Sequence, residues 1–147
     1  MRLWRISKHG GLAGTGGTFA SGRWHAMPRR VLYTAEHPAV AMAEVMAQQR
    51  LSIDRIPRTL RLIAIDVAGR QRAWEPELPD GWQANAPTTQ SVGNAWLDTH
   101  RALLMRVPST LLPHSYNYVI NASHAQAAAM LSESDLGPFW FDPRFLG

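Results

Sequence analysis

Only one stretch of this chain carries a strong helical signal, and it lies among strands. HPAVAMAEVMAQQR, residues 37–50, puts proline at the first helical position, where its missing N–H costs nothing, and follows it with alanine and methionine. Before it, MRLWRIS (1–7) alternates like a strand, with Leu3, Arg5 and Ser7 on one face and Trp4 and Ile6 on the other. RVLYT (30–34) is rich in residues that suit a pleated surface. After it, TLRLIAIDV (59–67) is apolar on both faces, the pattern of a central strand. ALLMRVPS (102–109) and NYVIN (117–121) read as two further strands, and FWFDPRFL (139–146) as a closing edge strand, since Pro143 cannot donate to a ladder. Weaker helical signals lie in SVGNAWLDTH, from Ser91, and in HAQAAAML (124–131). Residues 68–90 carry Pro76, Pro79, Asp80-Gly81 and Pro87 and read as a long loop with at most one short element. A doubly wound sheet needs a helix between successive strands. This order predicts instead an α+β fold of mixed, mostly antiparallel sheets with a few helices.

With 147 residues, 46% of them hydrophobic, and six tryptophans, the chain is expected to form one packed domain over 1–147. It has no cysteine, which excludes disulfides and thiolate metal sites. No apolar run reaches the roughly 20 residues that span a bilayer, and Met1 to Lys8 lacks the apolar core of a secretory signal. A cytoplasmic protein with no membrane contact is the expectation. The net charge of +4 suits anionic partners. Fourteen of the fifteen basic residues are arginines, but only Arg29 and Arg30 are adjacent, so direct nucleic-acid binding is not expected.

Six glycines fall within residues 8–22, a composition that invites a phosphate. The nucleotide fingerprints nevertheless fail. From Gly17 the P-loop spacing is met at Gly22, but Arg23-Trp24 follows where Lys and Ser/Thr are required. From Gly14 and Gly16 the dinucleotide pattern ends on Phe19. The six histidines, His9, His25, His37, His100, His114 and His124, include no pair at helical ligand spacing, and no metal is expected. The hydrolase elbow G-x-S-x-G is absent.

Arg23, Tyr33 and Glu44 stand out for their settings. Glu44 is the only charged or hydrogen-bonding side chain in AVAMAEVMA (39–47). Buried without a partner it would be costly, so it should face a cleft or a partner, unless it shares a solvated stripe with Gln48. Tyr33 lies in an otherwise apolar strand and Arg23 follows a glycine loop. A core tyrosine and a surface arginine are the ordinary readings of those positions.

The order of these residues belongs to a longer pattern. LWRIS (3–7), SGRWH (21–25), VLYTA (31–35), Glu44, VPS (107–109), NYVINASH (117–124) and FDPR (141–144) together resemble the RES-domain toxins of bacterial toxin–antitoxin pairs. Ser21, His25 and Ala122 depart from that pattern, where the family has glycine, asparagine and proline. The resemblance implies an ADP-ribosyltransferase-like fold and destruction of NAD as substrate, with no metal. It implies that Glu44 stabilises positive charge on the ribose as the nicotinamide bond breaks. Arg23 would bind the pyrophosphate with its planar fork, and Tyr33 would offer an aromatic face and a hydroxyl to the nicotinamide. Ser109 would hydrogen-bond Glu44 or a phosphate, or else serve as a turn residue after Pro108. It implies also a cognate Xre-type antitoxin, and a homodimer or a toxin–antitoxin hetero-oligomer. The acceptor is left open: water would make the chain a hydrolase, inorganic phosphate a phosphorylase and a macromolecule a transferase, with NAD degradation favoured over target modification because the resemblance points that way. A non-catalytic module binding ADP-ribose-type ligands would need Arg23 but not Glu44.

Overall fold

A computed structural model describes residues 1–50, 55 and 57–145. The elements run β1 (Arg2–Ser7), α1 (Gly16–Phe19), β2 (Val31–Ala35), α2 (Pro38–Gln49), β3 (Arg61–Val67), α3 (Ala86–Thr99), β4 (Leu104–Pro108), β5 (Tyr116–Asn121), α4 (Ala127–Met130) and β6 (Leu131–Pro138). Short 3-10 turns lie at Trp82–Ala84 and Pro143–Phe145. The fold is α+β. The strands form a six-stranded sheet in the order β4-β5-β2-β1-β3-β6, with every neighbouring pair antiparallel. Parallel pairing among the described residues is confined to the isolated bridge between Trp74 and Met105, so the expected mixed sheets are one antiparallel sheet.

That sheet is nearly severed in the middle. β1 pairs with β3 at six positions, Arg2↔Asp66 to Ser7↔Arg61, but with β2 only at Trp4↔Ala35. Beyond that pair the two strands diverge, and strand edges with backbone donors and acceptors are left inside the molecule. One apolar cluster runs across one face from Leu104 and Ile120 through Leu32 and Leu3 to Ile63, Ile65 and Leu131. The other face is covered in two parts. α2 packs Val40, Ala41 and Val45 on Ile6, Ala35 and Leu60. α3 packs Trp96 and Leu97 with Trp24 on Val31, Met105, Val107 and Val119.

α2 forms as the sequence predicts. His37 caps it, its Nδ1 accepting from Ala39 N at 3.0 Å; Pro38 opens it, and Arg50 ends it in the left-handed region at φ 45°. Three expectations fail. The closing edge strand is not 139–146: the edge strand is β6, which pairs with β3 from Val67↔Leu131 to Arg61↔Pro138. LSESDLGP is mostly exposed, as an edge strand can be, so it carries too few apolar positions to show a period. Residues 139–142 are irregular and Leu146 lies outside the described residues. α3 begins at Ala86, not Ser91: Asn85 caps it by accepting from Thr88 N at 3.1 Å, and Pro87 sits in its first turn rather than in a loop. The helical reading of 124–131 shrinks to α4, because Leu131 opens β6. Among the described residues no helix is long and apolar enough to cross a membrane.

Candidate active site

The divergence of β1 and β2 opens a cleft of about 1220 Å³. Arg5 to Ser7 of β1 and Val31 to Ala35 of β2 form its two sides, and the glycine-rich loop runs along it. α2 presents Ala41, Glu44, Val45 and Gln48, one helical face, to the same space. The formally charged residues of this lining are Arg5, Arg23 and Glu44, a balance that favours an anionic ligand. Arg23, Tyr33 and Glu44, which lie on a loop, a strand and a helix, therefore line one cavity. Ser109 is not in the lining; it is buried directly behind Glu44.

Glu44 is held at one oxygen. Ser109 Oγ donates to Oε1 at 3.1 Å and Asn117 Nδ2 donates to the same atom at 2.9 Å. Among the described residues no further hydrogen bond reaches the carboxylate, so Oε2 is the oxygen left for the cleft. Ser109 Oγ in turn accepts from Leu111 N at 3.1 Å and Leu112 N at 3.2 Å. Both sequence readings of Ser109 thus hold together: it builds the turn after β4, and that turn aims its one O–H at Glu44. Asn117 was missed as a site residue. It reaches Glu44 because β5 lies beside β2, where Asn117 pairs with Ala35, the residue just before α2 and its capping segment.

Tyr33 shows its ring to the cleft, but its hydroxyl is already engaged. It accepts from Trp24 N at 3.1 Å and lies 2.7 Å from His25 Nδ1. His25 Nε2 lies 3.0 Å from Gly17 O, and a carbonyl can only accept, so Nε2 carries the proton. In the neutral ring Nδ1 is then the acceptor of the Tyr33 O–H. Burial pushes the Tyr33 hydroxyl well above the usual tyrosine range, with backbone hydrogen bonds from Trp24 and His25 opposing it, so the proton stays on. The Tyr33 hydroxyl thus makes internal contacts that fix the loop, with one acceptor lone pair left over. His25, only 1% exposed, is the residue that departs from the family's asparagine, and it joins β2 to the glycine loop. Gly22 is glycine because its Cβ would fall 2.4 Å from the Tyr33 hydroxyl oxygen.

Arg23 projects from this loop, with Nη1 donating to Gln83 O at 2.9 Å. A guanidinium has five N–H donors, so most remain for a ligand. Its backbone is clamped by α3. Thr89 Oγ1 donates to Arg23 O at 2.5 Å, Gln90 Nε2 to Gly22 O at 2.9 Å, and Asn94 Oδ1 accepts from Ala26 N at 3.2 Å. These contacts fall on one face of a helix whose first turn the sequence placed in a loop. Arg5, read only as a strand residue, is a second guanidinium of the cleft, with Nη1 3.4 Å from Gly11 O. Burial lowers its pKa and the Glu133 carboxylate raises it. Glu133 also accepts from Gly11 N at 2.9 Å, tying the start of the loop to β6. Among the described residues no group of three or more His, Asp or Glu side chains could hold a metal ion.

Comparison with known proteins gives the family. The RES domain matches residues 2–142. The chain is 41% identical over 140 residues to Toxin Res of Pseudomonas putida, covering 94% of this chain and 97% of that protein. It is 31% identical over 150 residues to Toxin Res of Yersinia enterocolitica, covering 98% and 99%. It is 28% identical over 142 residues to the Prs ADP-ribosylating toxin of Sphingobium sp., covering 92% and 86%. Matched from Arg2 in β1 to Asp142 beyond β6, the chain belongs to the RES-domain family.

Proposed function

We propose that this chain is a toxin that destroys NAD by breaking the bond between nicotinamide and ribose. The observation that carries this is a carboxylate in the cleft, Glu44, gripped at one oxygen by Ser109 and Asn117 with the other oxygen unclaimed. When the C–N bond breaks, its electron pair leaves with nicotinamide and positive charge develops on the ribose ring. A fixed carboxylate stabilises that charge more than it stabilises the intact substrate, which is what catalysis requires. Glu44 Oε2 is the atom for this role and can accept from a ribose hydroxyl. Arg23, with Arg5 across the cleft, holds the pyrophosphate, and the Tyr33 ring faces the nicotinamide. An acceptor oxygen then bonds to the ribose carbon and loses its proton. Water gives ADP-ribose; inorganic phosphate gives its 1″-phosphate.

The test is to incubate purified protein with NAD, with and without phosphate, and resolve the products chromatographically. Nicotinamide release with one of these two ribosyl products is the expected result; intact NAD after prolonged incubation would overturn it. Because one relative is named an ADP-ribosylating toxin, transfer to a macromolecule is the second reading. It predicts radiolabel from adenine-labelled NAD in acid-insoluble material. A non-catalytic binder of ADP-ribose-type ligands would retain NAD without releasing nicotinamide.

A toxin that consumes cytoplasmic NAD has to be restrained. The names of the relatives suit a toxin–antitoxin setting, and an arginine-bearing cleft mouth suits an acidic or carboxylate-terminated inhibitor segment. Expression together with the neighbouring reading frame is expected to yield a stoichiometric complex with an Xre-type antitoxin that releases no nicotinamide. Recovery of free, active toxin from that co-expression would count against this partner.

A further inference from the structure

Phe19 is 77% exposed, the most exposed large apolar side chain among the described residues, yet it lies in the lining of the cleft. It belongs to none of the apolar clusters found there. Its exposure is built in. α1 is a single turn closed by Ala20 N donating to Gly16 O at 3.2 Å and Thr18 Oγ1 donating to Thr15 O at 2.6 Å. Gly17 pins that turn to the protein. Its carbonyl accepts from Arg29 N at 3.1 Å and from His25 Nε2 at 3.0 Å, and a Cβ there would fall 2.3 Å from Arg29 O. The residue two places before Phe19 is thus fixed, and the ring is held out over the cleft with nothing to cover it.

Water is a poor neighbour for such a ring, and a flat apolar partner is a good one. Arg23 lies four residues further along the same loop, so a ligand that engages both must join an anionic group to a planar one. A nucleotide does so: phosphate to the guanidinium, base to the ring. We infer that Phe19 is the platform on which the purine base of the substrate stacks, and that it sets the preference for a dinucleotide over a mononucleotide. This rests on the NAD-cleaving function proposed above and adds to it the site of the substrate's far end.

The test compares NAD with nicotinamide mononucleotide, which has the same scissile bond but no purine. In Phe19→Ala the ratio of kcat/KM for NAD to that for the mononucleotide is expected to fall about 10-fold or more, through KM, as loss of a base–aromatic stack requires. Phe19→Trp is expected to restore the ratio. An unchanged ratio in Phe19→Ala would overturn the inference and mark the ring as a surface for another protein. A binding measurement separates this from failure of the proposed activity. If wild type cleaves neither substrate, the activity is wrong, and ADP titrated calorimetrically still decides Phe19: at least 10-fold weaker binding to Phe19→Ala supports stacking. Equal binding, or none to wild type, overturns it.

Discussion

Substituting Glu44 by glutamine is expected to lower nicotinamide release from NAD by about 100-fold or more, the scale on which a single preorganised electrostatic contact acts in a transition state. The thermal midpoint should move little. Glutamine keeps the shape of the side chain and keeps an amide oxygen where Oε1 accepts from Ser109 and Asn117. What disappears is the negative charge at the atom facing the cleft. Binding of ADP-ribose, which lacks the departing group and develops no charge, should therefore survive. A variant that loses turnover and keeps that binding identifies Glu44 with the chemical step. Full activity in Glu44→Gln would remove the carboxylate from its assigned role, and equal loss of both would reduce it to a structural residue.

The candidate site residues Arg23, Tyr33 and Glu44 were picked out in the sequence by their settings and by their order within the family pattern, and the fold brings all three to one cleft. Glu44 interrupted an apolar helix, and Arg23 closed a glycine loop. The sequence did not show what holds them. Asn117 meets Glu44 only because β5 is placed beside β2, and strand order is a long-range fact that local period does not carry. His25 read as a departure from a family pattern; that it bridges Tyr33 and Gly17 follows from the loop folding back on β2. Thr89 and Gln90 were lost with the first turn of α3, where Pro87 was read as a breaker rather than as an opening residue. β6 was missed for a different reason: an edge strand with one face in solvent needs few apolar residues, and its pairing with β3 through backbone bonds leaves little trace in side-chain type.

The clamp on Arg23 gives the largest expected effect on stability. Gly93 lies on the α3 face that carries Thr89, Gln90 and Asn94. A Cβ built there would stand 1.6 Å from Trp24 O and 2.7 Å from Trp24 C. Both are backbone atoms and cannot swing away. Trp24 is itself 3% exposed, packed with Trp96, Leu97 and Met105, so the segment cannot retreat as a unit. Gly93→Ala must separate α3 from the loop and break the hydrogen bonds to Gly22 O, Arg23 O and Ala26 N together. The expected cost is roughly 3 kcal/mol, as for overpacking with lost buried hydrogen bonds. That corresponds to a fall of about 6–12 °C in the thermal midpoint for a chain of this size. Gly16→Ala makes the same chemical change where nothing lies within 4 Å, and in a helical position it is expected to be neutral or slightly stabilising. Melting curves of the two variants side by side test the clamp. Nicotinamide release by Gly93→Ala below its own midpoint should also fall, since Arg23 would no longer be held over the cleft. Matching midpoints for the two variants would mean that α3 does not carry the loop, and the positioning of Arg23 would need another cause.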